Sequence, residues 1–134
     1  MSWRAKYFTR QEFACPCGSC APYPEVRTDL VQALDAAREE FDCPVYITSG
    51  YRCSTWNKKV GGSPRSPHLN MPAMAADIVV RAIPPITVFD YFDDTFPDSL
   101  GLGLYGSHVH VDVRPYPARW DHRLSGHQRT EIDD

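Results

Sequence analysis

The sequence has no long apolar run, no surplus of basic charge, no internal repeat and no low-complexity segment, and each absence narrows what it does. No stretch approaches the roughly 20 apolar residues that a membrane-spanning helix needs, so no membrane association is expected. Lys and Arg number 14 against 17 Asp and Glu, a net charge of −3. A protein that tracks phosphates carries a basic excess, so nucleic acid is not an expected partner. The same balance argues against polybasic adhesion to a lipid surface. The opening residues Met1-Ser2-Trp3-Arg4-Ala5-Lys6 lack the apolar core of a secretory signal, so no export is expected from them.

What is present suits one small domain. A length of 134 residues with 43% apolar content supports a single core, placed at residues 1–123, with the polar stretch 124–134 read as a frayed tail. Twelve prolines and eight glycines exceed the usual share and predict a loop-rich α+β domain with short elements. The cysteines number five, so complete disulfide pairing would leave one over, and metal-bound or free thiols compete with that reading.

Along the chain, Thr9-Arg10-Gln11-Glu12 has the capping-box pattern of a short helical turn. Residues 25 to 41 carry Val26, Leu30, Ala33, Leu34, Ala37 and Phe41 at helical spacing, and Pro44 ends the helix. Val45 to Ser49 reads as a strand. A short helix is expected from Ser54, as its cap, to Val60, with Gly61 as its stop. A loop follows to about residue 74, then a buried strand from Ala75 to Val80 and a helix from Ile86 to Phe96. Leu102 to Tyr105 and His108 to Arg114 are two strands that can close as a hairpin around Gly106-Ser107.

The last of these strands is the most informative segment. Its period of two puts Val109, Val111 and Val113 on one face and His108, His110, Asp112 and Arg114 on the other. One face belongs to a core; the other is a row of metal-ligating and proton-transfer groups, although a solvated polar face gives the same alternation. Asp77 lies in the apolar run Ala75 to Val80, where an ionised carboxylate is costly unless it meets a cation. His68 precedes it across a loop. Two imidazoles and one carboxylate, from His68, Asp77 and His110, make a sensible three-ligand set for a catalytic Zn²⁺ with a fourth position open to water.

Cys15, Cys17 and Cys20 are spaced C-x-C-x₂-C, and Cys53 lies far along the chain directly after Arg52. Four thiolates could hold a second, structural Zn²⁺; two disulfides or reduced thiols are the other readings. Cys43, before Pro44, reads as an ordinary small buried residue.

The order of motifs resembles the zinc D-alanyl-D-alanine peptidase family of bacteria and phages, which includes phage endolysin peptidases and shares a fold with hedgehog signalling domains. The matching segments are Ser49-Gly50-Tyr51-Arg52, Asn57 with Val60-Gly61-Gly62, Ser66-Pro67-His68-Leu69, Ala75-Ala76-Asp77-Ile78 and His108-Val109-His110-Val111-Asp112. By that resemblance His68, Asp77 and His110 are the zinc ligands. Arg52 is the arginine that grips the substrate carbonyl or carboxylate, and His108 matches a second active-site histidine of some members. Two features depart from the family pattern. The interval from His68 to Asp77 is two residues longer, through Asn70 to Met74, without the expected glycine near Ala73. Position 107, where peptidases of the family place a carboxylate base, holds Ser107. His108 and then Asp112 are the candidates to take a proton in its place.

The resemblance implies a small antiparallel sheet that carries the zinc site, with helices packed on one face. It implies a zinc-dependent peptidase of the carboxypeptidase or endopeptidase type, cleaving a D-amino-acid-containing bond of peptidoglycan stem peptides, as a monomer. A phage or prophage origin is expected, with the protein in the bacterial host cytoplasm or phage-associated until it meets the cell wall. The competing expectation is a zinc-bearing structural or binding module, such as a phage tail component, with weak or no hydrolysis.

Overall fold

The computed structural model describes residues 5–123; the expected tail at 124–134 lies outside the described residues. Helix α1 (Thr28–Phe41) begins three residues later than its periodicity suggests. Residues before it are drawn into extended pairing: Ala73 N–H donates to Glu25 O at 2.7 Å and Arg27 N–H donates to Ala73 O at 2.9 Å. The same pairing absorbs the lengthened loop between His68 and Asp77, because Ala73 is clamped and buried. At the other end Asp42 takes the left-handed conformation, with its N–H on Arg38 O, and Pro44 prevents continuation.

Strand β1 (Val45–Ser49) is followed by α2 (Ser54–Lys59), β2 (Ala75–Val80), α3 (Pro85–Thr95), β3 (Gly101–Leu104), β4 (Val109–Asp112) and β5 (Ala118–Asp121). Pro85 at the first turn of α3 suits its fixed φ and missing donor. The cap of α2 is Cys53, whose Sγ accepts from Trp56 N, and not Ser54, which is already helical. Gly61, at φ +75°, ends that helix as expected.

The sheet order is β1-β2-β4-β3-β5. The first four strands pair antiparallel, and β3 and β4 form the expected hairpin, with Tyr105 N–H on His108 O at 3.0 Å. To the expected small antiparallel sheet β5 adds a parallel edge strand, pairing with β3, so the five-stranded sheet is mixed. After β4 the chain turns back through Pro115 and Pro117 and lies along the free edge of β3. Arg119 secures it there, donating to Asp93 Oδ1 (2.7 Å), Leu100 O (2.6 Å) and Phe96 O (2.8 Å).

The two sheet faces divide the labour. Ala76, Ile78, Leu102, Leu104, Val109 and Val111 join Leu30, Leu34, Val88 and Phe92 of α1 and α3 in one apolar core. Alternate residues point the other way and form cross-strand rows: Asp77 opposite His110 opposite Gly103 opposite Trp120, and Ala75 opposite Asp112 opposite Gly101. A bulge in β1 between Ile47 and Ser49 brings Ser49 into line with Asp77. The polar row is thus set by register, and it is buried, not solvated: His110 and Asp112 are fully enclosed.

Candidate metal centre

Three side chains from three segments converge. His68 stands on a 3-10 turn (Pro67–Leu69) whose cap, Ser66, accepts from His68 N–H. Asp77 comes from β2 and His110 from β4, directly opposite in register. His68 Nε2 lies 3.2 Å from Asp77 Oδ1, and His110 Nδ1 lies 3.1 Å from the same oxygen. The candidate ligand atoms all fall within 4.8 Å of one another, and the three residues are buried.

The far side of each imidazole decides which nitrogen is offered. His68 Nδ1 lies 2.6 Å from Gly50 O, which can only accept, so the ring proton sits on Nδ1. His110 Nε2 lies 2.7 Å from Asp112 Oδ2. Burial works against ionisation of Asp112, but hydrogen bonds from Arg114 and His110 override it and hold the carboxyl well below its usual range. Asp112 therefore accepts, and the proton of His110 sits on Nε2. The nitrogens left facing Asp77 Oδ1 are His68 Nε2 and His110 Nδ1. Two imidazole nitrogens and a carboxylate oxygen converge on one point, an arrangement that a cation satisfies. Two nitrogens and a carboxylate oxygen are the donor set Zn²⁺ takes in catalytic sites, so these residues fit the ion.

The other oxygen of Asp77 faces the remaining groups. Its Oδ2 lies 3.6 Å from Arg52 Nη2 and 3.8 Å from His108 Nε2. Arg52 is held by Ser49 Oγ at its Nε (3.2 Å) and by Asn57 Oδ1 at Nη1 (3.2 Å). Asn57 is in turn braced by donating Nδ2 to Ser63 O at 2.9 Å. His108 Nδ1 lies 2.9 Å from Ser107 Oγ, and its ring stacks on Tyr105 at 4.5 Å and 8°. Tyr105 OH accepts from Trp120 Nε1 at 3.0 Å, and the Trp120 ring packs 5.3 Å from His110.

The sequence-derived residues Arg52, His68, Asp77, His108 and His110 thus meet in one place. Asp112 meets them as well, bonded to His110 and to Arg114, which donates Nε to Oδ1 (2.8 Å) and Nη2 to Oδ2 (2.7 Å). Three contributors escaped the sequence reading as site residues: the Gly50 carbonyl, Ser49 and Trp120; Arg114 stood in the polar row of its strand without an assigned role. Gly50 is obligatory for a steric reason, since a Cβ there would stand 2.6 Å from the Phe13 Cα. Gly101 and Gly103 leave room on the site face of β3, the first for the Asp112–Arg114 pair and the second for the Trp120 indole. The alternation Gly-Leu-Gly-Leu over residues 101 to 104 was the available signal for both.

The four cysteines expected to converge do so. Cys15 Sγ lies 3.7 Å from Cys53 Sγ and Cys17 Sγ lies 3.3 Å from Cys20 Sγ, with all four sulfurs within 4.8 Å of one another. None is in a disulfide, and Cys43 stands apart, half-buried beside the core. The backbone N–H of Ser19, with Cys20 and the Ser19 hydroxyl, brings the Cys17 thiol down to about 6, whereas burial and then Cys17 push Cys20 up to about 12.

No described helix is long and apolar enough to cross a membrane. Comparison with curated proteins and with solved structures gives no match. The peptidase M15 family model matches residues 6–112, a span that holds Arg52, the His/Asp/His group and all the cysteines. On that match over most of its length, and with a buried ligand set suited to the zinc of a metallopeptidase, the chain belongs to the peptidase M15 family.

Proposed function

We propose that this protein hydrolyses a D-amino-acid-containing bond of peptidoglycan stem peptides, with Zn²⁺ held by His68, Asp77 and His110. The observation that carries the reading is the shared Asp77 carboxylate, with both ligand imidazoles at Oδ1 and both Arg52 and His108 toward Oδ2. When bound there, zinc supplies Lewis acidity toward a carbonyl and lowers the pKa of a bound water to about 7. Arg52, fixed by Ser49 and Asn57, presents a guanidinium to the carbonyl oxygen as it gains charge, or to a terminal carboxylate. His108 accepts the proton. His108 Nδ1 lies 2.9 Å from the Ser107 hydroxyl; in the tautomer whose Nδ1–H donates to that hydroxyl, Nε2, on the Asp77 side, is the nitrogen that takes the proton. Asp112 orients His110 and is spent on that bond and on Arg114, so it is a positioning residue and His108 is the base. The substrate class rests on the motif resemblance.

A second reading has one observation in its favour. Ser107 occupies the position where the family's peptidases hold a carboxylate, and its hydroxyl cannot replace a carboxylate as a proton acceptor at neutral pH. On that reading the chain is a zinc-bearing binding module with no turnover. Incubation of the zinc-loaded protein with muropeptides, followed by mass spectrometry of the products, separates the two. Released D-amino acid or cut cross-links supports the peptidase; intact muropeptides that still bind support the module.

A further inference from the structure

We propose that Cys15, Cys17, Cys20 and Cys53 form a second metal site, a tetrathiolate Zn²⁺ centre that pins the loop at residues 14–23 to the start of α2. A tetrahedron with Zn–S bonds of about 2.3 Å has sulfur–sulfur edges of about 3.8 Å. The observed separations of 3.7 and 3.3 Å, with every pair inside 4.8 Å, surround such a centre. These ligands are independent of the His/Asp/His group: no residue is shared.

The backbone is arranged for thiolates. Cys53 N–H points to Cys15 Sγ at 3.3 Å, Ser19 N–H to Cys17 Sγ at 3.5 Å and Trp56 N–H to Cys53 Sγ at 3.5 Å. Such donors offset charge on sulfur, as hydrogen bonds to an ionised acceptor do. Gly18, at φ +76°, provides the turn that swings Cys17 and Cys20 to the same side, and a Cβ there would meet no atom. Binding is a ligand exchange without redox change: each thiol gives up its proton to solvent as sulfur takes the metal.

The loop has reason to need it. Between Phe13 and Pro24 only Cys15 is buried, and Pro16, Gly18, Ser19 and Cys20 lie at or near the surface, so little apolar area holds the segment. Apart from Cys53 N–H on Cys15 Sγ, polar anchors grip its far end, where Arg10 donates to Pro24 O and Tyr23 O. A metal joining Cys15, Cys17 and Cys20 to Cys53 fastens this loop to the residue that follows Arg52.

Metal analysis and cobalt spectroscopy on the whole chain test the site. We expect about two zinc ions per chain, and, after exchange to Co²⁺, an intense sulfur-to-cobalt charge-transfer band in the near ultraviolet, since thiolates are the donors. Replacing His68 and His110 by Ala should remove one metal and keep the band; Cys17→Ser with Cys20→Ser should remove the other metal and the band. A parent chain that shows no thiolate–cobalt band, or whose four thiols are found oxidised to disulfides, overturns the proposal without needing any variant to fold. A band with only one metal, unchanged by the histidine substitutions, supports the thiolate site and counts against the peptidase centre instead.

Discussion

His110 and Asp112, two residues apart on β4, are bonded to each other through side chains on the same face, His110 Nε2 to Asp112 Oδ2 at 2.7 Å. Adjacent same-face positions on a strand normally stand side by side; here the second orients the first. The bond places the proton of His110 on Nε2 and leaves Nδ1 for the centre, and Arg114 closes the network by neutralising Asp112 from the other side.

Removing one member of that buried network leaves the others uncompensated. Asp112→Ala is expected to cost about 3–5 kcal/mol in the urea-unfolding free energy of the metal-free protein. It should also weaken zinc binding by roughly 10–100-fold in a competitive chelator titration. Unchanged zinc affinity would mean that His110 needs no orienting partner.

Gly103→Ala should destabilise the protein by about 1–3 kcal/mol, because its Cβ would stand 2.5 Å from Trp120 Cε2 in the packed row beside His110. Gly106→Ala, where no atom lies within 4 Å, should be close to neutral. Thermal melts of the two variants measure the contrast, and equal melting temperatures would show that Trp120 yields freely.

Arg52→Ala should lower kcat on a stem-peptide substrate by roughly 10²–10³-fold with zinc content intact, as expected when a donor to a developing oxyanion is lost. Its bonds to Ser49 and Asn57 are local, so the fold should survive. If fold and metal vanished together, the arginine would be a structural link between β1 and α2.

His108→Ala should reduce hydrolysis by about 10²–10⁴-fold at unchanged zinc content, the range of a general base. Ser107→Glu should raise the rate by restoring a carboxylate at the position the family uses. A parent chain without turnover, and a Ser107→Glu variant that gains it, would assign the protein to the binding-module reading.

Much of this arrangement was legible in the sequence. The apolar spacing of Leu30, Leu34 and Ala37 and the β-branched runs of β1 and β2 carry their own periods, so α1, α3 and the first four strands stand near their expected places. Asp77 and His110 stood out because ligand-type residues sat in an apolar run and a patterned strand, whereas His68, a loop histidine, stood out only in combination with them and through the motif resemblance. The missed pieces depend on register. Ala-Arg-Trp-Asp of β5 has no alternation, and only the edge of β3 and the grip of Arg119 make it a strand. The Gly50 carbonyl acts on His68 across the chain, which no local pattern announces, and the Ser49 oxygen meets the nearby Arg52 beside a bulge in β1 that the sequence does not mark. Ser54 resembles a helix cap by type, but the backbone turns one residue earlier, where Cys53 faces Cys15.

The most direct test of the central claim is a zinc-edge anomalous difference map from crystals of the zinc-loaded protein. The account predicts a peak about 2.0–2.2 Å from His68 Nε2, Asp77 Oδ1 and His110 Nδ1, with Arg52 and His108 on the Oδ2 side of Asp77. These three side chains pointing apart in the zinc-loaded protein, with no metal among them, would contradict it.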